Sequence, residues 1–317
     1  MHMPRAVGCG LVLGYLGDLV LGDPRRGHPV AAFGRLASAA ERYLWRDSRA
    51  RGALFTLVCA GGTVAGSGAL ARAAASAGRH GPVATAALTG VTTWTVLGGT
   101  GLAREARAIL AALEDGDLCR ARELLPRLCG RDPQLLDADG LARAVVESVA
   151  ENTSDAVVGA LVWGAVAGVP GLAGFRAVNT LDAMAGHRSP RHLRFGWASA
   201  RLDDVAGLPG ARLTALLAAL AGPRPRAALR AWRSDAHRHP SPNAGPVEAA
   251  FAGALGVRLG GTLSYAGRTE HRPVLHAAAN AAATADIERA VRLSRRVGAL
   301  SLALCCAVLW AAGRRRP

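Results

Sequence analysis

Four stretches of this chain hold no charged residue: residues 52–71, 81–103, 156–175 and 297–313. Each is fenced by charge on both sides: Arg51 and Arg72, Arg79 and Arg104, Asp155 and Arg176, Arg296 and Arg314. A helix that crosses hydrocarbon needs ~20 apolar residues, so the longer stretches qualify and 297–313 is borderline. A fifth run, 6–22, is broken only by Asp18. Asp23-Pro24-Arg25-Arg26 follows it instead of a small-residue cleavage site, so it reads as a retained first membrane segment. Residues 52–71 and 81–103 are rich in Gly, Ala, Ser and Thr and read as a hairpin of closely packed helices. Between 104 and 155 the pattern is polar and helical, with Leu110, Leu113, Leu124, Leu125 and Leu128 as its apolar stripe and a turn at Gly130-Arg-Asp-Pro133. Short apolar helices are expected at 213–221 and 273–285. Nothing alternates with period two over a useful length. The expectation is an all-α, polytopic membrane protein of four to five segments, in a single domain covering 1–317, with Arg-rich cytoplasmic helical regions.

Composition supports this picture. The 317 residues are 50% hydrophobic and 19% charged with mean hydropathy +0.20, values that agree only when charge is segregated. Net charge is +15, and all 38 basic residues are Arg. Of these, 32 fall in 23–51, 104–155 and 176–296, which places those three regions on the cytoplasmic side. That assignment requires the segment 156–175 to return to the side it entered, and Gly168-Val-Pro-Gly171 offers a break where a re-entrant helix can turn. The terminal Arg314-Arg-Arg316 argues the other way. With 4% aromatic residues there is no aromatic-and-basic platform, so nucleic acid is not an expected partner. The absence of Lys excludes a P-loop lysine, a Schiff base and a lysyl nucleophile. Six Cys without a CxxC spacing read as small buried hydrophobes.

Dense polar islands interrupt the apolar design, and polar groups at the mouths of membrane segments mark functional sites by default. Glu147, Glu151 and Asp155 recur every four residues, on one helix face that runs into an uncharged block. Three like charges in a row are relieved by a hard cation such as Mg²⁺. For Glu147 the plainer reading is preferred: a pair with Arg143 at the same spacing, with the other two acids solvated. Asn179-Thr-Leu-Asp182 follows the Pro170-Gly171 break and reads as a helix start, either a simple cap or an anion site. Arg201-Leu-Asp-Asp204 reads as an ion-pair cluster in which at most one Asp serves a metal. Asp23-Pro24 and His28-Pro29 are held rigidly by proline. His239-Pro-Ser-Pro-Asn-Ala-Gly245 is a turn, structural or functional. Gly260-Gly261 near Tyr265 reads as a close-approach turn.

Six islands in this order resemble the CobD/CbiB family, the adenosylcobinamide-phosphate synthases of cobalamin biosynthesis. They are Gly22-Asp-Pro-Arg-Arg-Gly-His-Pro-Val30, Glu151-Asn-Thr-Ser-Asp155, Val178-Asn-Thr-Leu-Asp-Ala-Met184, Phe195-Gly-Trp-Ala-Ser-Ala-Arg-Leu-Asp-Asp-Val205, His239-Pro-Ser-Pro-Asn-Ala-Gly245 and Leu255-Gly-Val-Arg-Leu-Gly-Gly261. The resemblance covers about residues 16–272. It implies a multi-pass protein of the inner or plasma membrane. The implied reaction is ATP- and Mg²⁺-dependent amide formation between adenosylcobyric acid and (R)-1-amino-2-propanol or its O-phosphate. Where the family often reads Leu-Asp-Ser-Met-Val-Gly-Tyr-Lys, this chain has Leu181-Asp-Ala-Met-Ala-Gly-His-Arg188, so that Ser and Lys are not essential here. Ala156 and Ala160 stand where the family often has Gly and Pro, which leaves the position of the helix break open.

On these positions the catalytic candidates are His28, His239, Asp182 and Arg201. The substrate-binding candidates are Asp23, Asn152, Asn179, Thr180, Ser241, Asn243 and Arg258, and the metal candidates are Glu151, Asp155 and Asp204. Amide synthesis needs an activated carboxylate, most simply an acyl phosphate made from ATP with Mg²⁺ and cations neutralising charge. Arg201 and Arg258 are candidates for a two-point phosphate grip. His28 or His239 is the candidate base for the attacking amine. The expected partners are the corrinoid and amino-alcohol substrates, the lipid bilayer and other late cobalamin-assembly enzymes. A transporter, marked by flux without product, and a regulatory membrane protein of the same fold, marked by ligand binding without turnover, are the alternatives.

Overall fold

In a computed structural model of the chain, residues 3–24, 27–187, 189–265 and 268–314 are described, the side chains of 262–270 excepted. Arg25, Arg26, Arg188, Arg315, Arg316 and the Tyr265 side chain therefore lie outside the described residues. The helices in chain order are α1 (Met3–Leu21), α2 (Pro29–Leu44), α3 (Arg49–Thr56), α4 (Gly62–Ala75), α5 (Gly81–Val96), α6 (Gly99–Glu114), α7 (Leu118–Leu124), α8 (Ala138–Thr153), α9 (Gly159–Leu181), α10 (Trp197–Ala221), α11 (Pro225–Asp235), α12 (Ala244–Leu255) and α13 (Thr284–Ala312). One three-stranded sheet, β1 (Val257–Tyr265), β2 (Arg268–Leu275) and β3 (Asn280–Ala281), has β1 in the middle, antiparallel to β2 and parallel to β3.

Among the described residues, five helical runs are long and apolar enough to cross a membrane: Met3–Leu21, Arg49–Ala75, Ala138–Gly186, Trp197–Ala221 and Thr284–Ala312. The protein is thus an all-α, multi-pass membrane protein with a small sheet appended. Two of the runs pass through π-helical turns, Leu57–Gly61 and Ser154–Val158. The apolar run 297–313 is the distal part of α13, which starts in charged sequence and gains its length there.

Several expected elements differ. Residues 81–103 do not form one span: Leu97 is extended (φ −72°, ψ 150°), which ends α5 after 16 residues and lets α6 start afresh at Gly99. Residues 213–221 are the second half of α10, and 273–285 are the end of β2 and the approach to α13. Region 23–51 contains the amphipathic α2. Gly260 and Gly261 lie inside β1, beside a bulge, and are no turn.

The chain divides into two compact units, each assembled from separated segments. The first takes residues 1–98, 159–209 and 302–317. Here α1 packs on α5, where Gly10 and Gly14 bring the α1 backbone against Thr89 and Thr93; a Cβ on either glycine would lie 2.4 Å from the facing Thr Cβ. Small residues one turn apart allow such contact, which is how helices associate in lipid. Phe55 and Phe195, with ring centroids 5.1 Å apart, centre a second core that includes Val178 and Leu181. Val20 is 80% exposed and Val166 71%, as suits faces turned to lipid.

Helix α9 reverses within this unit. Gly168 takes φ 63°, ψ −140°, a conformation L side chains avoid, and Pro170 cannot donate the next helical bond. A straight helix would hold Trp163 and Gly171 about 12 Å apart. Instead a Cβ on Gly171 would sit 2.0 Å from the Trp163 carbonyl oxygen, and one on Gly164 2.9 Å from Leu172. The two arms of α9 therefore fold back on each other, the geometry of a re-entrant helix, and the break falls at the expected Gly168-Val-Pro-Gly171.

The second unit takes residues 99–158 and 210–301. Side chains of Asp117 and Asp137 cap α7 and α8, each accepting a backbone N–H at 2.8 Å. Leu110, Leu124 and Leu125 of the apolar stripe are buried. α12 is buried along its whole length. The Thr153 and Ser294 hydroxyls are hydrogen-bonded at 2.7 Å, and Arg107 grips Glu288 through two bonds of 2.9 Å, tying α8 and α6 to α13.

The reversal of α9 makes a prediction about sidedness. With the natural cysteines replaced, a single Cys placed beside Arg230 will resist a membrane-impermeant thiol reagent in intact cells and react once the cells are opened. Labelling in intact cells would contradict a re-entrant α9.

Candidate active site

The second unit holds a buried cluster of charge. α8 carries Glu147 and Glu151 one turn apart, and α12 carries Glu248. Glu147 is 0% exposed. An ionised carboxylate in that setting needs a cation and hydrogen bonds. Arg131, just before α8 and itself buried, supplies the ion pair. The Gly260 N–H supplies a hydrogen bond of 2.6 Å to Glu147 Oε1. The bulge between Leu259 and Gly261 interrupts the regular pairing of β1 with β2 at this point, and the Gly260 carbonyl accepts from Arg143 at 2.8 Å. Gly260 has φ 81°, and a Cβ there would lie 2.2 Å from the Pro273 carbonyl oxygen. Glu147 is a buried group, and Arg131, brought to it by the chain before α8, is its ion-pair partner.

His239 lies in the same unit and is buried. Its Nδ1 stands 3.1 Å from the Ser241 nitrogen and 3.4 Å from the Ser241 carbonyl oxygen, while Nε2 faces Arg272 Nη1 at 3.4 Å and Glu248 Oε1 at 3.7 Å. Burial first, and the Arg272 charge second, hold this imidazole below its ordinary value, so it is a neutral base at physiological pH. Glu248 shares a hydrogen bond with Glu151. Burial above all, then the charges of Glu151 and Glu147, drive the Glu248 carboxyl well above the usual range. Ser241 Oγ accepts the Asn243 and Ala244 N–H groups at 3.3 and 3.1 Å, closing the turn that starts α12. Asn243 Oδ1 and the Pro242 carbonyl both accept from Arg212, at 3.1 and 2.7 Å. Asn152 donates to the Ser148 carbonyl at 2.9 Å. Asp155 lies in the π-turn after α8, and Arg258 is exposed on β1.

The first unit has an acidic cluster. Asn179 and Asp182 lie at the end of α9 and Asp203 and Asp204 at the start of α10. Asp182 is close enough to repel both Asp203 and Asp204. Asn179 donates to Asp203 and accepts from Arg176, both at 3.5 Å. Arg201 meets Asp204 at 3.1 Å in an exposed i,i+3 pair, as the ion-pair reading expected. Thr180 bonds back to the Arg176 carbonyl at 2.7 Å. The expectation that a helix starts at Asn179 is overturned: α9 continues past the Gly168 break to Leu181, so these residues end a helix and its N–H groups are already used. His28 caps α2, its Nδ1 accepting the Val30 N–H at 3.2 Å, and half-buried Asp23 follows the positive-φ Gly22 that ends α1.

The site candidates thus fall into two groups. Glu151, Asp155, Asn152, His239, Ser241, Asn243 and Arg258 belong to the second unit, and Asp23, His28, Asn179, Thr180, Asp182, Arg201 and Asp204 to the first. Among the described residues no three His, Cys, Asp or Glu form a metal-holding group. The carboxylates still suit Mg²⁺, which takes one or two protein oxygens and completes its shell from substrate phosphates and water. The sequence reading passed over Arg131, Arg272 and Glu248. Glu248 left a signal, as the single charge in residues 244–257.

Comparison with known proteins agrees with this architecture. The family model described as CobD/Cbib protein matches residues 11–294. The cobalamin biosynthesis protein CobD of Mycobacterium tuberculosis strain H37Rv is 52% identical over 99% of this chain and 97% of that one. The CobD of Rhodobacter capsulatus is 43% identical over 92% and 95%, and that of Rhizobium meliloti 41% over 89% and 90%. No solved structure matches the chain. The chain belongs to the CobD/CbiB family.

The Glu147 bond makes a demand on Gly260. Gly260→Ala forces a side chain into the Pro273 carbonyl and pulls the N–H from a buried carboxylate, at a cost of ~1–3 kcal/mol. Thermal unfolding in detergent will show a lowered midpoint. An unchanged midpoint would show that Glu147 does not depend on this bond.

Proposed function

We propose that the protein makes the amide bond that joins adenosylcobyric acid to (R)-1-amino-2-propanol or its O-phosphate, with ATP and Mg²⁺ as co-substrates, in the cell membrane. Membership of the CobD/CbiB family places the chain in cobalamin biosynthesis. The specific ligation is what the family resemblance implies, and the chemistry of the residues supports it. The observation that carries it is His239: a buried, neutral imidazole whose Nε2 lies near Arg272 and Glu248.

Amide formation from a carboxylate and an ammonium must dispose of an oxygen and of protons. ATP phosphorylates the carboxylate oxygen, the amine nitrogen attacks the acyl carbon, and phosphate leaves with that oxygen. The ammonium must first lose a proton; His239 takes it on Nε2 in the tautomer whose Nδ1–H faces the Ser241 carbonyl oxygen, 3.4 Å away. Arg272 then disfavours the imidazolium and returns the proton to solvent or product. Arg131 and Arg272 are the nearest cations for phosphoryl charge in this unit, a role to which guanidinium is suited. Glu151 and Asp155 are the proposed Mg²⁺-facing carboxylates, and the Asp182–Asp203–Asp204 group is a second acidic set of the same donor type.

The reversal of α9 also favours a transporter, since broken helices line translocation sites. The two readings separate in one assay. Purified protein supplied with adenosylcobyric acid, ATP, Mg²⁺ and each amine in turn will yield the corresponding cobinamide by mass spectrometry; flux in proteoliposomes without product would favour transport. Glu151→Gln and Asp155→Asn will each lower turnover at least about tenfold, ~1.4 kcal/mol of transition-state stabilisation. Normal turnover and normal Mg²⁺ dependence in both would leave the two acids a structural role.

A further inference from the structure

The first unit contains a cavity of ≈ 580 Å³ that the proposed chemistry does not use. Its size falls in the range of small-molecule pockets, ~300–1,000 Å³. The wall is mostly apolar, with Ala71, Ala75, Val166, Val169 and Leu309 among its residues, and the folded-back tip of α9 around Gly168 closes one side. The N-terminal turns of α1 and α5 and the C-terminal turns of α4 and α13 also line it, so it opens at one end of the helices.

Three polar groups line this cavity. Thr85 and Thr89 are 6% and 0% exposed, and neither hydroxyl has a hydrogen-bond partner. Elsewhere in this chain helical threonines bond back to the carbonyl four residues earlier: Thr56, Thr63, Thr92, Thr153, Thr180 and Thr214 all do so, at 2.6–2.9 Å. Thr93 is also unpartnered, but it does not line the cavity. The third group is Arg72, in the last turn of α4. It is exposed and makes no ion pair among the described residues, and its guanidinium lies back over Gly68, another lining residue, with Nη1 3.6 Å from where a Gly68 Cβ would stand.

We propose that this cavity seats one anionic glycerophospholipid. An acyl chain lies along the apolar wall, the ester carbonyls accept from Thr85 and Thr89, and the phosphate rests on Arg72. The order of groups matches the ligand: Thr85 and Thr89 lie one and two turns into α5 from its start, a difference in depth of about 6 Å, while the cation sits at the helix end. A buried hydroxyl without a partner costs free energy that an ester oxygen recovers. An isolated Arg at a helix end is suited to an anionic headgroup. The occupant is a lipid rather than a soluble anion because most of the wall is apolar.

Native mass spectrometry of the delipidated, full-length protein in detergent tests this. Phosphatidylglycerol will be retained about fivefold better than phosphatidylcholine of the same chains, the effect of one Arg near a membrane surface. Arg72→Gln, an exposed position that does not threaten folding, will abolish that preference. Thr89→Val, which keeps the shape, will weaken retention of both lipids. Equal retention of the two lipids by the native chain, or an unchanged preference in Arg72→Gln, would overturn the proposal. So would displacement of phosphatidylglycerol by inorganic phosphate, which would make this a free-anion site.

Discussion

Glu147 sits with no exposure to solvent, on a helix that runs straight into apolar sequence. A charge there is tolerable only if its partners are fixed, and the second unit is arranged around fixing them. Arg131 is brought back over α8 from the preceding segment, Gly260 is turned out of regular strand pairing, and Arg143 holds the carbonyl of that same glycine. The sheet exists to place Gly260 as much as to cover the helix. Once Glu147 is held, Glu151 one turn on faces Glu248, and Glu248 faces His239. Breaking a buried pair by removing one partner leaves an uncompensated charge, which typically costs ~3–5 kcal/mol.

The two units solve different problems. In the first, helices pack through small residues and a doubled-back α9, with lipid as the solvent of their outer faces. In the second, charge is buried and paired within protein, where burial holds the His239 imidazole below its ordinary value and the Glu248 carboxyl above its own. Low dielectric strengthens every pairing there and penalises every omission. This is an environment in which phosphoryl charge can be met by fixed guanidinium groups without competition from water.

Much of this was legible in the chain. The apolar runs 6–22, 52–71, 156–175 and 297–313 located four of the five long apolar helices, whereas 81–103 split into α5 and α6, and α10 was anticipated only in its second half. Gly168-Val-Pro-Gly171 announced the reversal because no other residues tolerate that backbone. The six islands announced the family. What could not be read was long-range pairing. Arg131 pairs with Glu147 from sixteen residues away in sequence, a contact that only tertiary folding decides. The strands stayed hidden because Gly260, Gly261 and Pro273 break the period-two pattern that marks a sheet. Asn179 looked like a helix start because a proline precedes it, whereas the helix had restarted earlier, directly after Gly168. Glu248 was overlooked because it stands alone in its apolar run, whereas Glu151 was singled out by its four-residue spacing from Glu147 and Asp155.

The central claim is that the buried charge of the second unit serves ATP-driven amide formation through an acyl phosphate. Adenosylcobyric acid labelled with ¹⁸O in its reactive carboxylate tests it most directly, with purified protein, ATP, Mg²⁺ and the amino alcohol. The account predicts one ¹⁸O in the inorganic phosphate released for each amide formed. Label in AMP would mean an adenylate instead, and phosphate free of ¹⁸O alongside normal amide yield would contradict the account.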